Sequence, residues 1–216
     1  MLDVITRNLP FLLAGLWTTI HLSIWTIVGG TLLGAVLGIL RYVRFPVLGT
    51  ASMLFIEFIR GTPLLVVLLI TYFALPALLG YKTTAYNAAL LGFILFTGAY
   101  IAEDFRAGLR SVRPGLIQAG LATGLTRWQV LRFVIAPQAT RIVIPSLFNQ
   151  YVRLLKFTSV ASIIGVTELT GAALLINARD FHPVTLLGAV AVTYLVVCYA
   201  LSMVGRVLYA RFAVRT

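Results

Sequence analysis

Four uncharged stretches decide what this chain can fold into. Residues 8–40, 61–81, 83–102 and 181–205 contain no Asp, Glu, Lys or Arg. About 20 apolar residues in a helix cross the roughly 30 Å hydrocarbon core of a bilayer. In that core only a helix or a closed barrel satisfies its own backbone hydrogen bonds. Membrane helices are therefore predicted at about 12–40, 53–79, 86–104 and 183–208. A less apolar one runs from near Pro137 to about Phe157 and carries Arg141, Arg153 and Lys156.

Composition agrees. The 216 residues are 60% hydrophobic and 11% charged, with a mean hydropathy of +1.00. A soluble domain carries about 25% charged residues, and so apolar a chain does not stay disordered. The first stretch exceeds the roughly 7–15 residues of a secretory h-region, and no A-x-A site follows it, so it reads as a retained helix. The expectation is an all-α membrane protein: one transmembrane domain over residues 1–216, a bundle of about five helices.

The net charge of +11 comes from 17 Lys+Arg against 6 Asp+Glu. In a soluble protein it would suggest nucleic acid. In a membrane protein it marks cytoplasmic loops, and no nucleic-acid partner is expected. With the N-terminus outside, the outer segments hold Arg7, Lys82 and Arg179. The inner segments hold eleven: Arg41, Arg44, Arg106, Arg110, Arg113, Arg127, Arg132, Arg141, Arg206, Arg211 and Arg215. That bias predicts N-out, C-in, which needs an odd number of crossings, and five fits. Cys198 is the only cysteine, so no internal disulfide and no Cys-based metal site is expected.

The inner segment at about 105–137 is the informative one. Pro114 suits a first helical turn. Leu116, Ile117, Leu121, Leu125 and Trp128 recur at near-helical spacing. Gly124 breaks the pattern and can cap the helix, and Thr126-x-x-Gln129 forms a capping box ahead of Val130. The spacing predicts helix, glycine turn, helix, closed by Pro137. The alternative, an amphipathic helix lying on the lipid surface, is opposed by the central glycine.

These residues carry a resemblance. Gln118-Ala119-Gly120, then Gly124, then Ile135-Ala136-Pro137 resembles the EAA loop of ABC importer permeases. It departs from that pattern in Gln118 for Glu, Gly120 for the second Ala and Ala136 for Leu. Thr126-Arg127-Trp128-Gln129 and Gln138-Ala139 are similar to the polar amino-acid branch of those permeases. So are Glu57-Phe58-Ile59-Arg60-Gly61-Thr62-Pro63-Leu64-Leu65, Ala99-Tyr100-Ile101-Ala102-Glu103 with Ser111-Val112, and Lys156-Phe157-Thr158-Ser159 followed by Gly165-Val166-x-Glu168-Leu169.

The resemblance implies a permease subunit for histidine-, glutamine-, glutamate- or arginine-type uptake in a bacterial-type inner membrane. It would pair with a second permease subunit as homodimer or heterodimer. It would receive its amino acid from an extracytoplasmic binding protein and present a coupling helix to a separate ATPase subunit. ATP and Mg would be bound by that partner, not here. Gln118, Ala119, Gly120, Gly124, Trp128 and Pro137 would then be coupling positions, and transport would follow alternating access driven by the ATPase.

Other motifs are absent. No G-x-x-x-x-G-K-[ST] phosphate loop occurs, and neither Lys82 nor Lys156 follows a glycine, so the chain is expected not to hydrolyse ATP. His21 and His182 stand alone in the sequence, and His21 reads as a buried, hydrogen-bonded histidine. Charges inside the membrane usually face a partner or a cavity. Glu57 and Arg60 are spaced to pair at i,i+3. Pro63 removes a helical hydrogen bond just beyond them, so Thr62 and freed carbonyls could line a cavity. Lys156 either snorkels outward or joins Thr158 and Ser159 in contacting substrate. Glu57, Arg60, Thr62, Lys156, Thr158 and Ser159 are thus the candidate substrate path. Two other classes compete: an ion-driven secondary transporter or channel using Glu57, Arg60, Glu103 or Lys156, and a membrane scaffold. A carrier without an ATPase would need no docking helix at 105–137.

Overall fold

The computed structural model describes residues 2–43 and 46–212. Arg44 and Arg215 of the inner charge set lie outside the described residues, as does the side chain of Arg211. Every regular element is helical among the described residues. The first, α1 (Leu2–Val43), has 42 residues and is about 63 Å long at 1.5 Å per residue. It begins well before the predicted residue 12. Its outer end is held by polar contacts beyond the apolar run: Arg7 Nη2 lies 2.8 Å from Asp180, and the Asn8 side chain donates to Val4 and Asp180. Hydrogen bonds from Arg179 and then from Arg7 hold the Asp180 carboxyl well below the usual carboxylate range.

The inner half of α1, from His21 onward, packs along α5 (Ala85–Arg110). Small residues allow the approach. A Cβ on Gly34 would stand 2.5 Å from Ile101 Cγ2, and one on Gly38 would stand 2.6 Å from the Ala102 carbonyl. Where lipid tails are as apolar as leucine, such close backbone contact is what associates helices.

The second predicted span is broken. α2 (Leu48–Gly61) stops at Thr62, whose backbone is extended, and the chain turns by 109° into α3 (Leu64–Leu69). Pro63 causes this: it lacks an N–H and forces the preceding residue out of the helical region. A π turn, Ile70–Ala74, joins α3 to α4 (Leu75–Leu79). The single helix expected over 53–79 is therefore two arms. Among the described residues four helices are long and apolar enough to cross a membrane, and five spans result if the bent pair counts as one.

After α5 come α6 (Pro114–Ala122) and α7 (Arg127–Val130). A π turn, Leu131–Ile135, then leads directly into α8 (Ala136–Phe157). α8 starts at Ala136 with Pro137 in its first turn and ends at Phe157, where the fourth helix is expected, but the π turn joins it to α7 without a break. The wider turn ahead of Pro137 accommodates its missing donor, and an apolar span runs on from Arg127 to Ile164. A 3₁₀ segment, Thr158–Ile164, precedes α9 (Leu169–Asp180) and α10 (Pro183–Phe212). The central core gathers Leu22 of α1, Leu68 of α3, Phe93 of α5, Leu154 of α8 and Ile164 of the 3₁₀ segment.

Candidate functional site

The loop between α5 and α8 is built by its caps. Arg113 is extended, and Pro114 starts α6. At the far end Gly124 has φ +86, the left-handed geometry expected of it. Its amide donates to the Leu121 carbonyl at 3.0 Å, and the Leu125 amide donates to Gly120 at 3.2 Å, which satisfies carbonyls left open at a helix end. The capping box forms in full. The Gln129 amide donates to Thr126 Oγ1 at 3.3 Å, and the Thr126 amide donates to Gln129 Oε1 at 2.8 Å.

This loop presents Gln118, Ala119, Leu121, Gly124 and Trp128 to its surroundings, with Trp128 65% exposed. A cleft of about 440 Å³ lies beside them, lined by Ile117, Leu121, Trp128, Leu131 and Tyr42. Gly120 differs from its neighbours. It is buried, and a Cβ there would meet Val130 Cγ2 at 3.1 Å. Its smallness seats α6 on α7, whereas the small exposed residue is Ala119. Pro137 is exposed at the start of α8.

The charges near the inner half form one network instead of the expected Glu57–Arg60 pair. Glu103 on α5 is its hub. It takes Arg106 at 2.6 Å from its own helix, Arg41 from α1, and Arg60 of α2 at 4.0 Å. Glu57 pairs with Arg41 at 3.1 Å. Arg60 and Arg153 also flank the Tyr100 ring at 5.3 and 5.9 Å from its centroid. Cations over an aromatic face gain roughly 0.5–2 kcal/mol. Thr62 donates its hydroxyl to the Phe58 carbonyl at 2.8 Å, so it caps the break rather than pointing a free donor into a cavity.

Lys156 stands apart from that network. It is exposed and lines a groove between α8 and α10 with Val152, Tyr194, Cys198 and Ser202. Its two neighbours are otherwise engaged. Thr158 is fully buried and donates to the Leu155 carbonyl, and Ser159 donates to the Lys156 carbonyl, both at 2.8 Å. The six candidate substrate-path residues therefore divide into two places: Glu57, Arg60 and Thr62 at α2, and Lys156, Thr158 and Ser159 at the end of α8.

The role of Glu168 and the exposure of His21 escape sequence reasoning. Glu168 is wholly buried. Its carboxylate accepts from the Gly171 amide at 2.7 Å, the Thr170 amide at 3.0 Å and the Tyr194 hydroxyl at 2.8 Å. The available signal was an acid just ahead of an apolar run, an N-cap pattern. His21 is hydrogen-bonded as expected, with Nδ1 2.6 Å from the Tyr86 hydroxyl and Nε2 accepting from Trp25 Nε1 at 3.0 Å. It is exposed on the chain, not buried. Among the described residues no group of three or more His, Cys, Asp or Glu side chains could hold a metal.

The family described as "Binding-protein-dependent transport system inner membrane component" matches residues 30–215. The glutamine transport system permease protein GlnP of Escherichia coli is 37% identical over 207 residues, covering 95% of this chain and 94% of the relative. A probable amino-acid ABC transporter permease protein, PatM of Vibrio harveyi, is 38% identical over 188 residues, covering 86% and 84%. The crystal structure of an amino acid ABC transporter with histidines superposes with a TM-score of 0.91 at 29% identity, covering 96% of each chain. The chain belongs to this family: it is a multi-pass inner-membrane permease subunit of a binding-protein-dependent ABC importer. The ion-driven carrier and the scaffold fall away with that assignment.

Proposed function

We propose that the chain is one half of the membrane part of an importer for polar amino acids. The observation that carries the substrate class is the 37% identity, along 95% of the chain, to a glutamine permease. An extracytoplasmic binding protein delivers the amino acid. A second permease subunit, identical or related, completes the pathway, and a separate ATPase subunit binds ATP and Mg. The loop at 105–137 is the coupling element. Its support is geometric: a glycine-hinged helix pair, capped at both turns, holds Trp128, Leu121 and Ala119 exposed beside an apolar cleft. Apolar and aromatic anchors of this kind carry much of the energy of protein interfaces. Arg60 and Arg153, both set against the Tyr100 ring, and Lys156 in the α8–α10 groove are the cations offered to a substrate carboxylate.

The test is uptake by reconstituted transporter. It requires the ATPase subunit and ATP, and it survives collapse of ion gradients. The purified chain alone turns over no ATP. Arg60→Ala and Lys156→Ala slow uptake more than they impair assembly. Uptake by the lone chain, driven by a proton or sodium gradient, would overturn the reading. Normal kinetics in both variants would remove these residues from the substrate path.

A further inference from the structure

We propose that the cleft between the α1–α2 turn and the adjoining end of α5 holds the phosphate headgroup of an anionic phospholipid. The cleft has a volume of about 280 Å³. Arg41, Arg106 and Arg110 line it from α1 and α5, and Gly49, Thr50 and Met53 line it from α2. Its charge is not balanced from within. Arg41, Arg60 and Arg106 share the two carboxylates of Glu57 and Glu103. Asp104, the next acid along α5, accepts instead from the Gln150 side chain at 2.9 Å. Arg110 forms no ion pair among the described residues. A guanidinium has five donors in a planar fork that matches phosphate oxygens, and here three of them converge on one space.

The backbone adds to the field. The 14-residue α2 begins at this cleft with no side-chain cap, and a helix N-terminus carries partial positive charge. The surroundings select the source of the phosphate. Val47, Leu48, Met53 and Leu54 beside the cleft are 77%, 56%, 41% and 62% exposed. A free anion has no use for that apolar face, whereas acyl chains below a headgroup cover it. Basic pockets between membrane helices at the cytoplasmic surface suit anionic headgroups. The cleft lies at the same end of α5 as the 105–137 loop, the end that the basic residues assign to the cytoplasm.

The test uses the assembled transporter, stripped of lipid in detergent. Short-chain phosphatidylglycerol, phosphatidylcholine of equal chain length, or inorganic phosphate is added, and bound ligand is counted by native mass spectrometry. Phosphatidylglycerol should bind at least about fivefold more tightly than phosphatidylcholine. Arg110→Gln should weaken phosphatidylglycerol binding about fivefold. Arg110 is exposed and forms no ion pair among the described residues, so the variant should fold, which its melting temperature checks. Arg113→Gln, close by but not lining the cleft, should leave binding unchanged. Equal retention of the two lipids, or indifference to Arg110→Gln, would overturn the site. Displacement of phosphatidylglycerol by an equal concentration of inorganic phosphate would overturn the lipid assignment.

Discussion

The Tyr194 hydroxyl donates to the Glu168 carboxylate across 2.8 Å, joining α10 to the first turn of α9. The same carboxylate caps α9 through the Thr170 and Gly171 amides and approaches Thr19 Oγ1 on α1 at 3.4 Å. One buried acid thus ties three helices. Its removal strips an N-cap, worth about 1 kcal/mol, and leaves buried donors unmatched at about 1–3 kcal/mol. Glu168→Ala should therefore destabilise the chain by about 3 kcal/mol, and Tyr194→Phe by about 1 kcal/mol. Glu168→Gln, which keeps one acceptor oxygen, should fall between them. Thermal melts of the purified protein in detergent give the order. An Ala variant melting like wild type would deny Glu168 its tying role.

Glu103 should matter more than its sequence neighbourhood implies. It neutralises Arg41 and Arg106 and faces Arg60, with only 16% of its side chain exposed. Removing the acid from a largely buried network leaves like charges facing each other. Glu103→Gln should cost about 2 kcal/mol, below the range for fully buried pairs because water still reaches the group. Glu57 is 57% exposed, so Glu57→Gln should cost under about 1 kcal/mol and vanish in high salt. Melting temperatures at low and high salt compare the two. A larger loss for Glu57→Gln would reverse the hierarchy.

Much of this architecture was legible where the cause is local. The uncharged runs located the spans, Gly124 announced its left-handed turn, and Thr126 with Gln129 announced their capping box. What was not legible depends on partners distant in sequence. Arg41 and Glu103 are 62 residues apart, and Thr19 and Glu168 are 149 apart. No i,i+3 or i,i+4 rule connects them, so Glu57 was matched to Arg60 by default. Pro63 and Pro137 show the same limit. Each removes one donor, yet one breaks its helix by 109° and the other is carried through by a π turn. The neighbouring turns decide between those outcomes, and periodicity does not report them.

The orientation is open to direct measurement. Lys82 lies in the turn before α5 and Arg113 in the turn after it. α5 has 26 residues, or about 39 Å of helix, so the two turns are on opposite sides of a bilayer. The excess of inner Lys and Arg places Arg113 inside. Cys198 is buried, and a Cys198→Ala background removes the remaining label. With single cysteines at 82 and 113, an impermeant maleimide on intact cells should react at 82 and not at 113. The opposite pattern would invert the topology.

The loop proposed for coupling gives the sharpest separation of folding from function. Gly124 holds φ +86, and a Cβ placed there would meet nothing within 4 Å. Substitution therefore costs backbone strain of about 1–2 kcal/mol without a clash. None of the five buried core clusters includes this residue. Gly124→Asp should leave membrane insertion and the bundle intact, with an unchanged amount of protein in the membrane. Its effect should fall on the exposed surface formed by Ala119, Leu121 and Trp128, by tilting α6 against α7 and by adding a charge where the proposed partner groove would approach. Capture of the ATPase subunit at matched permease levels should drop, or substrate-stimulated ATP turnover in the assembled complex should drop. Trp128→Ala, which removes a 65%-exposed anchor without touching the backbone, should do the same. Undiminished capture together with undiminished stimulation in both variants would remove residues 114–133 from the coupling role.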